Sequence, residues 1–157
     1  MQKAIESINT TTDQIAALVK GMDSETLNRK PSMDAWSIKE VLCHIEEAIP
    51  YWLREIEQLV KKPGAEWGRG LADEERLRAV DVANQRKIED ILFQIESNKN
   101  IVVEVLEGLT DRQLLIESPS RNPRFGTKPL RFIVDHLLVE HMQKHLEQIK
   151  RNMKQTV

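Results

Sequence analysis

Histidine is scarce in this chain, with four in 157 residues. Two of them, His141 and His145, stand one helical turn apart in the segment EHMQKHLEQI, residues 140–149. Residues four apart on a helix lie about 6 Å apart along the axis on nearly one face, so two imidazoles can converge on a single ion. They also fall in the row Ile133, Leu137, His141, His145, Ile149, Met153, which makes them core-facing. A buried polar group costs free energy unless it is satisfied, so the pair is either a metal site or two core groups bonded to backbone or carboxylates. Spacing alone leaves both readings open. His44, at the edge of another apolar stripe beside Val41 and Ala48, supplies a candidate third imidazole. Three imidazoles on one divalent ion leave a tetrahedral position free for water or a substrate atom, the pattern of catalytic rather than structural sites.

The other polar residues are less specific. His136 stands roughly 140° from His141 and 180° from His145 around the helix and so belongs at its boundary, not at a shared ion. Met142 follows His141 where a zinc peptidase of the H-E-x-x-H type has its general-base glutamate, which removes that mechanism. Glu40, Glu47 and Glu140 are candidate partners for the imidazoles, with no catalytic role assigned to any. Thr12, Asn98 and Lys99 also interrupt apolar stripes near helix midpoints, where they could line the same internal polar cavity. Cys43 falls on the wheel with Lys39, Glu46 and Arg54, which predicts a surface or interface thiol of ordinary reactivity. As the single cysteine it has no intramolecular disulfide partner.

Four amphipathic segments position these groups. Ile5, Ile8, Thr12, Ile15, Val19 and Met22 give the 3.6-residue period of a first helix over about 2–22. A second begins after Ser37, with Glu40 completing a capping box, and carries its stripe from Ile38 to Val60; Pro50 inside it predicts a kink, with the ring facing outward. The connection over 61–81 is long enough to cross the length of a helix and holds one helical turn near DEERLRAV. A third helix is predicted over 82–108, stopped by Gly108, and a fourth over 128–154, with no strand-like alternation of useful length between them. Four stripes that must bury one another make a single all-α domain over 1–157, a four-helix bundle.

The totals exclude several functions. Twenty-three basic and 25 acidic residues, interspersed, give a net charge of −2 and no electrostatic footprint for nucleic acid or an anionic membrane. No run approaches the roughly 18 apolar residues of a membrane span, and the opening residues lack a signal-peptide core, so the expected location is cytoplasmic. In the loops, PGAEWGRG and SRNPRFGTK could frame a substrate mouth, with Trp67, Arg121 and Arg124 as candidates for holding an anionic cosubstrate.

The segments DAWSIKEVLCHIEEA and HLLVEHMQKHLEQI, with His44 seven residues after Ser37 and the H-x-x-x-H pair near the end, resemble the DinB-like superfamily. The resemblance runs the length of the chain in helix number and order. It implies an up-down-down-up bundle, which the long crossover between helices 2 and 3 suits. It also implies a divalent metal, zinc or nickel, held by His44, His141 and His145. The activity it implies is foremost that of a low-molecular-weight-thiol (bacillithiol-type) S-transferase acting on a small-molecule substrate. A metal-dependent hydrolase, and a non-enzymatic stress-associated binding protein with a structural or absent metal, are the alternatives. The resemblance further implies a homodimer, to which outward residues such as Tyr51 and Phe93 could contribute.

Overall fold

The computed structural model describes residues 1–155. Its four rods are α1 (Gln2–Val19), α3 (Ile38–Lys61), α5 (Ile88–Glu107) and a last rod assembled from three pieces. Those pieces are α7 (Leu130–Phe132), a π-helical stretch (Ile133–Glu140) and α8 (His141–Lys154). Connectors carry α2 (Ser24–Asn28), α4 (Glu74–Asp81), a 3-10 turn (Ala83–Gln85) and α6 (Asp111–Leu114). The third helix therefore starts later than its periodicity predicts, because Val82 and the 3-10 turn end the crossover and do not open the rod. The connector after α6 also contains a short antiparallel ribbon, β1 (Glu117–Pro119) against β2 (Thr127–Pro129), too brief to show as alternation in the sequence.

Side-chain neighbours fix the rod directions. Lys3 and Ala4 of α1 lie beside Arg131 and Asp135, while Thr10 and Gln14 lie beside Leu146 and Glu147, so the first and last rods run parallel. Asn152 at the end of α8 donates to the Trp36 carbonyl just before α3, 3.0 Å away, so those two rods run antiparallel. The first, second and last rods thus run up, down and up, and the crossover of 62–87 is long enough for α5, packed on α3, to run down beside it in an up-down-down-up order.

The N-terminus of α3 is fixed by the sequence. The Ser37 hydroxyl accepts from the Glu40 amide at 3.1 Å and the Glu40 carboxylate accepts from the Ser37 amide at 2.8 Å, a reciprocal cap of about 1 kcal/mol. Seven residues later comes His44. α3 is the central rod: its apolar stripe Val41, Leu42, Ile45, Ile49, Leu53 and Ile56 is buried, and so are Lys39, Glu40 and Cys43 on its other faces. Here Cys43 departs from its predicted surface position. The wheel reads one helix in isolation, whereas α4, the 3-10 turn and α5 cover the side of α3 that the wheel leaves open. Burial pushes the thiol pKa up to about 11, which keeps it protonated and unreactive.

The crossover is pinned at Trp67, which is buried. Its indole N–H donates to the Ser118 carbonyl at 2.8 Å and its backbone exchanges hydrogen bonds with Pro119 and Arg121. The next residue, Gly68, has φ +88°, and a Cβ there would stand 3.1 Å from the Ser120 hydroxyl, so both conformation and space require glycine. No helix among the described residues is long and apolar enough to cross a membrane.

Candidate metal centre

The antiparallel contact of α3 with α8 brings His44 to His141 and His145 across 97 residues of chain. The Nε2 atoms of His44 and His141 are 3.0 Å apart, and those of His141 and His145 are 2.9 Å apart. All three rings present one ligand atom within 4.8 Å of the others, and the ring planes meet nearly at right angles. His44 is buried; His141 and His145 are partly open to a cleft.

This donor set fits a divalent cation. A neutral imidazole nitrogen either donates one hydrogen bond or accepts one, so the His141 Nε2 can satisfy only one of its two close neighbours. The remaining contact is at best a bent, shared bond, and where both facing nitrogens are unprotonated it sets lone pair against lone pair. A cation in the middle accepts all three lone pairs, and zinc–nitrogen bonds of about 2.0 Å in tetrahedral array need nitrogens about 3.3 Å apart, close to what the rings already adopt. The protonation states agree. Burial, then the charges of the other two imidazoles, holds the His44 pKa far below its ordinary value. Burial lowers His141 to about 3 and also lowers His145, so near neutral pH each ring offers a lone pair.

The ring orientations have identifiable causes. The His145 Nδ1 lies 2.8 Å from the Gln148 side-chain oxygen; an N–H there leaves Nε2 as the free base pointing inward. The His44 ring packs 5.0 Å from the Trp36 ring, and Trp36 is tied to the end of α8 through Asn152. The His44 Nδ1 is buried with no hydrogen-bond partner. Directly before His141 the last rod is π-helical, a local irregularity that recurs at functional sites.

The carboxylates named as candidate partners are occupied elsewhere. Glu40 caps α3 and pairs with Lys30 at 3.1 Å; Glu47 grips Arg69 through both oxygens; Glu140 pairs with His136 at 2.8 Å. Gln148, three residues beyond His145, is the partner that sequence reasoning missed, although its i,i+3 spacing was visible. His136 stands apart from the cluster, stacked 4.9 Å from Phe132. Thr12, Asn98 and Lys99 do not join the cavity either. Thr12 donates to the Ile8 carbonyl, Asn98 to the Glu46 carbonyl, and Lys99 pairs with Asp13 and Glu96.

The imidazoles sit in the wall of a cleft of about 1130 Å³. Of the loop residues expected at its mouth, Arg124 lines it, whereas Trp67 is core and Arg121 pairs with Glu55 at 3.3 Å. Tyr51 is half-buried beneath the Arg69 guanidinium, 3.8 Å from its ring centre, rather than outward, and Phe93 is exposed as expected. Arg69 and Arg76, both from the crossover, also line the cleft, and no periodicity marks them.

A family model described as the DinB superfamily matches residues 7–149. No curated protein matches the chain. Among solved structures, YfiT from Bacillus subtilis, described as a probable metal-dependent hydrolase with an unusual four-helix bundle topology, superimposes with a TM-score of 0.83 at 15% identity. The match covers 98% of this chain and 85% of that one.

Proposed function

The chain belongs to the DinB superfamily, and we propose that it is a metal-dependent enzyme whose His44, His141 and His145 hold one divalent ion, zinc or nickel, through their Nε2 atoms. One observation carries the reading: three depressed-pKa imidazoles aim the same nitrogen at one point in the wall of the largest cleft described. A divalent ion held there would supply Lewis-acid chemistry beside the cleft, stabilising a small-molecule thiol as thiolate or acidifying water.

The chain's own residues do the rest. Burial keeps the imidazoles neutral, Gln148 orients His145, and Trp36 shields His44 from water. Transfer of a low-molecular-weight thiol of the bacillithiol type onto an electrophilic substrate suits this wall best, because none of its carboxylates is aimed at the imidazoles: Glu140 is engaged by His136 and Glu147 by Lys150. A thiol that ionises on binding needs no separate strong base. Hydrolysis is the second reading, favoured by the description of YfiT.

The test is elemental analysis of protein purified without an affinity tag, repeated for His141→Ala and His145→Ala. The wild type is expected to carry about one divalent ion per chain and the variants far less. Equal stoichiometry in all three removes the site. Cobalt-loaded protein then tests the chemistry, since a shift of the visible spectrum on adding a small thiol supports transfer and complete indifference favours a closed or empty site.

A further inference from the structure

The cleft is chemically different at its two ends, and the imidazoles lie between them. On α8 the cleft-facing stripe runs His141, Lys144, His145, Gln148, Arg151, at spacings that keep one face of a helix. Beyond the imidazoles the lining is Gln148 and Arg151, with Glu147 held by Lys150. Opposite this end stands Arg76 of α4, its guanidinium 4.9 Å from the Trp36 ring and donating to the Leu71 carbonyl at 2.8 Å. Asn152, the residue after Arg151, donates to the Trp36 carbonyl, which brings this end of α8 to the tryptophan that Arg76 covers. In the other direction Leu137 lies one turn before His141 and Trp52 two turns after His44. Antiparallel rods bring them together with Phe125 into an end with an apolar wall, bordered by Asn122 and by Arg124, whose guanidinium stands 6.0 Å from the Phe125 ring.

The charges at the first end are unbalanced. Arg69 is neutralised by Glu47 and Asp73, and the lining carboxylates Glu140 and Glu147 are paired with His136 and Lys150. Arg76, Lys144 and Arg151 have no carboxylate within 4.0 Å among the described residues. Burial and the neighbouring Arg69 charge lower the pKa of Arg76, outweighing the opposing carboxylates Glu47 and Asp73, and its charge in turn reaches all three imidazoles. A half-buried guanidinium that faces a cleft with no carboxylate in direct contact can take an anion that arrives with the ligand.

We propose that the cleft selects a small amphiphilic anion, with a carboxylate or similar oxyanion held by Arg76 and Arg151 and an apolar portion against Trp52, Phe125 and Leu137. The assignment of the middle of such a ligand as its reacting part rests on the metal-centre reading; the anion subsite does not.

The test is calorimetric titration of the zinc-loaded full chain with 3-phenylpropanoate and with its neutral analogue 3-phenylpropan-1-ol. The carboxylate is expected to bind at least tenfold tighter. Arg76→Gln and Arg151→Gln should each weaken the carboxylate about tenfold, the scale of one charge-assisted hydrogen bond, and leave the alcohol unchanged. A brace acting only on structure would weaken both probes together, and that result overturns the proposal. So does equal affinity of the two probes for the wild type, or no binding of either at millimolar concentration. His141→Ala separates this proposal from the metal reading. A preference for the carboxylate that persists in that variant supports the subsite whatever the metal content. A preference that vanishes there assigns the carboxylate to the ion and ends the proposal.

Discussion

α3 carries two polar interruptions on different faces, and they are resolved in opposite ways. On the α5 side, Pro50 has no N–H to give the Glu46 carbonyl four residues earlier. The Asn98 side chain supplies the missing donor from α5 at 3.1 Å, Gln94 reaches Asn98 at 3.4 Å, and the Glu46 carboxylate takes two hydrogen bonds from Arg86 at 2.8 and 2.9 Å. Every polar group of that patch is answered from within the chain. On the α8 side, three imidazoles crowd their Nε2 atoms together with one proton position too few or too many, and the His44 Nδ1 has no partner. A buried polar patch that closes on itself is structure; one that the protein cannot close by itself is waiting for a ligand.

The largest expected effect lies on the unclosed side. His44→Ala removes the imidazole contributed by α3 and should lower divalent-ion affinity at least a hundredfold in a competition titration, with the melting temperature of metal-free protein little changed because a crowded nitrogen is lost with it. An unchanged affinity would place the ion elsewhere.

Acid gives the next effect, in metal-free protein. The three imidazoles are neutral in the fold, with His141 held down to about 3, but titrate near 6.5 when unfolded. Between those values the unfolded chain binds more protons, so stability is intact above about pH 6.5 and falls as pH drops below it, by about 1.4 kcal/mol per pH unit for each fully engaged ring. Denaturant midpoints measured from pH 7.5 to 4.5 should decline through this window, and His141→Ala should flatten the decline. A flat wild-type profile contradicts the buried neutral cluster.

On the closed side, Asn98→Ala strands the Glu46 carbonyl and should cost about 1–3 kcal/mol without altering metal affinity. Because Pro50 creates the need for Asn98, Pro50→Ala should shrink that cost, and a double-mutant cycle measures the coupling. Additive costs would break the link between the two residues. The smallest effect belongs to Gln148→Ala, which frees the His145 ring to turn and should weaken metal binding about tenfold with no change in fold, as read by circular dichroism.

Much of this was legible in local pattern. The four stripes, the Ser37–Glu40 cap, the helical turn in the crossover and the inward row of His141 and His145 all depend on residues a few positions apart, and they stand where the periodicity puts them. The exclusion of His136 from the cluster followed from the same rotation. Where the wheel misleads, a second element is responsible. Cys43 and Tyr51 point away from the stripe of α3, yet α4, α5 and Arg69 of the crossover cover them. Asn98 looked like a cavity residue because the need it meets arises in another rod. Arg76 carried no signal at all, since its importance is its position opposite α8.

By itself, then, the sequence determined which faces are apolar, where the first two rods begin, and that one rod offers two imidazoles a turn apart, because helix periodicity is set by backbone geometry within a single segment. The tertiary structure alone decided that His44 meets that pair, that Glu40, Glu47 and Glu140 are spoken for, and that a cationic and an apolar wall flank the imidazoles. Those outcomes depend on which surfaces face one another across the bundle, and the long crossover sets that pairing over distances that no local spacing encodes.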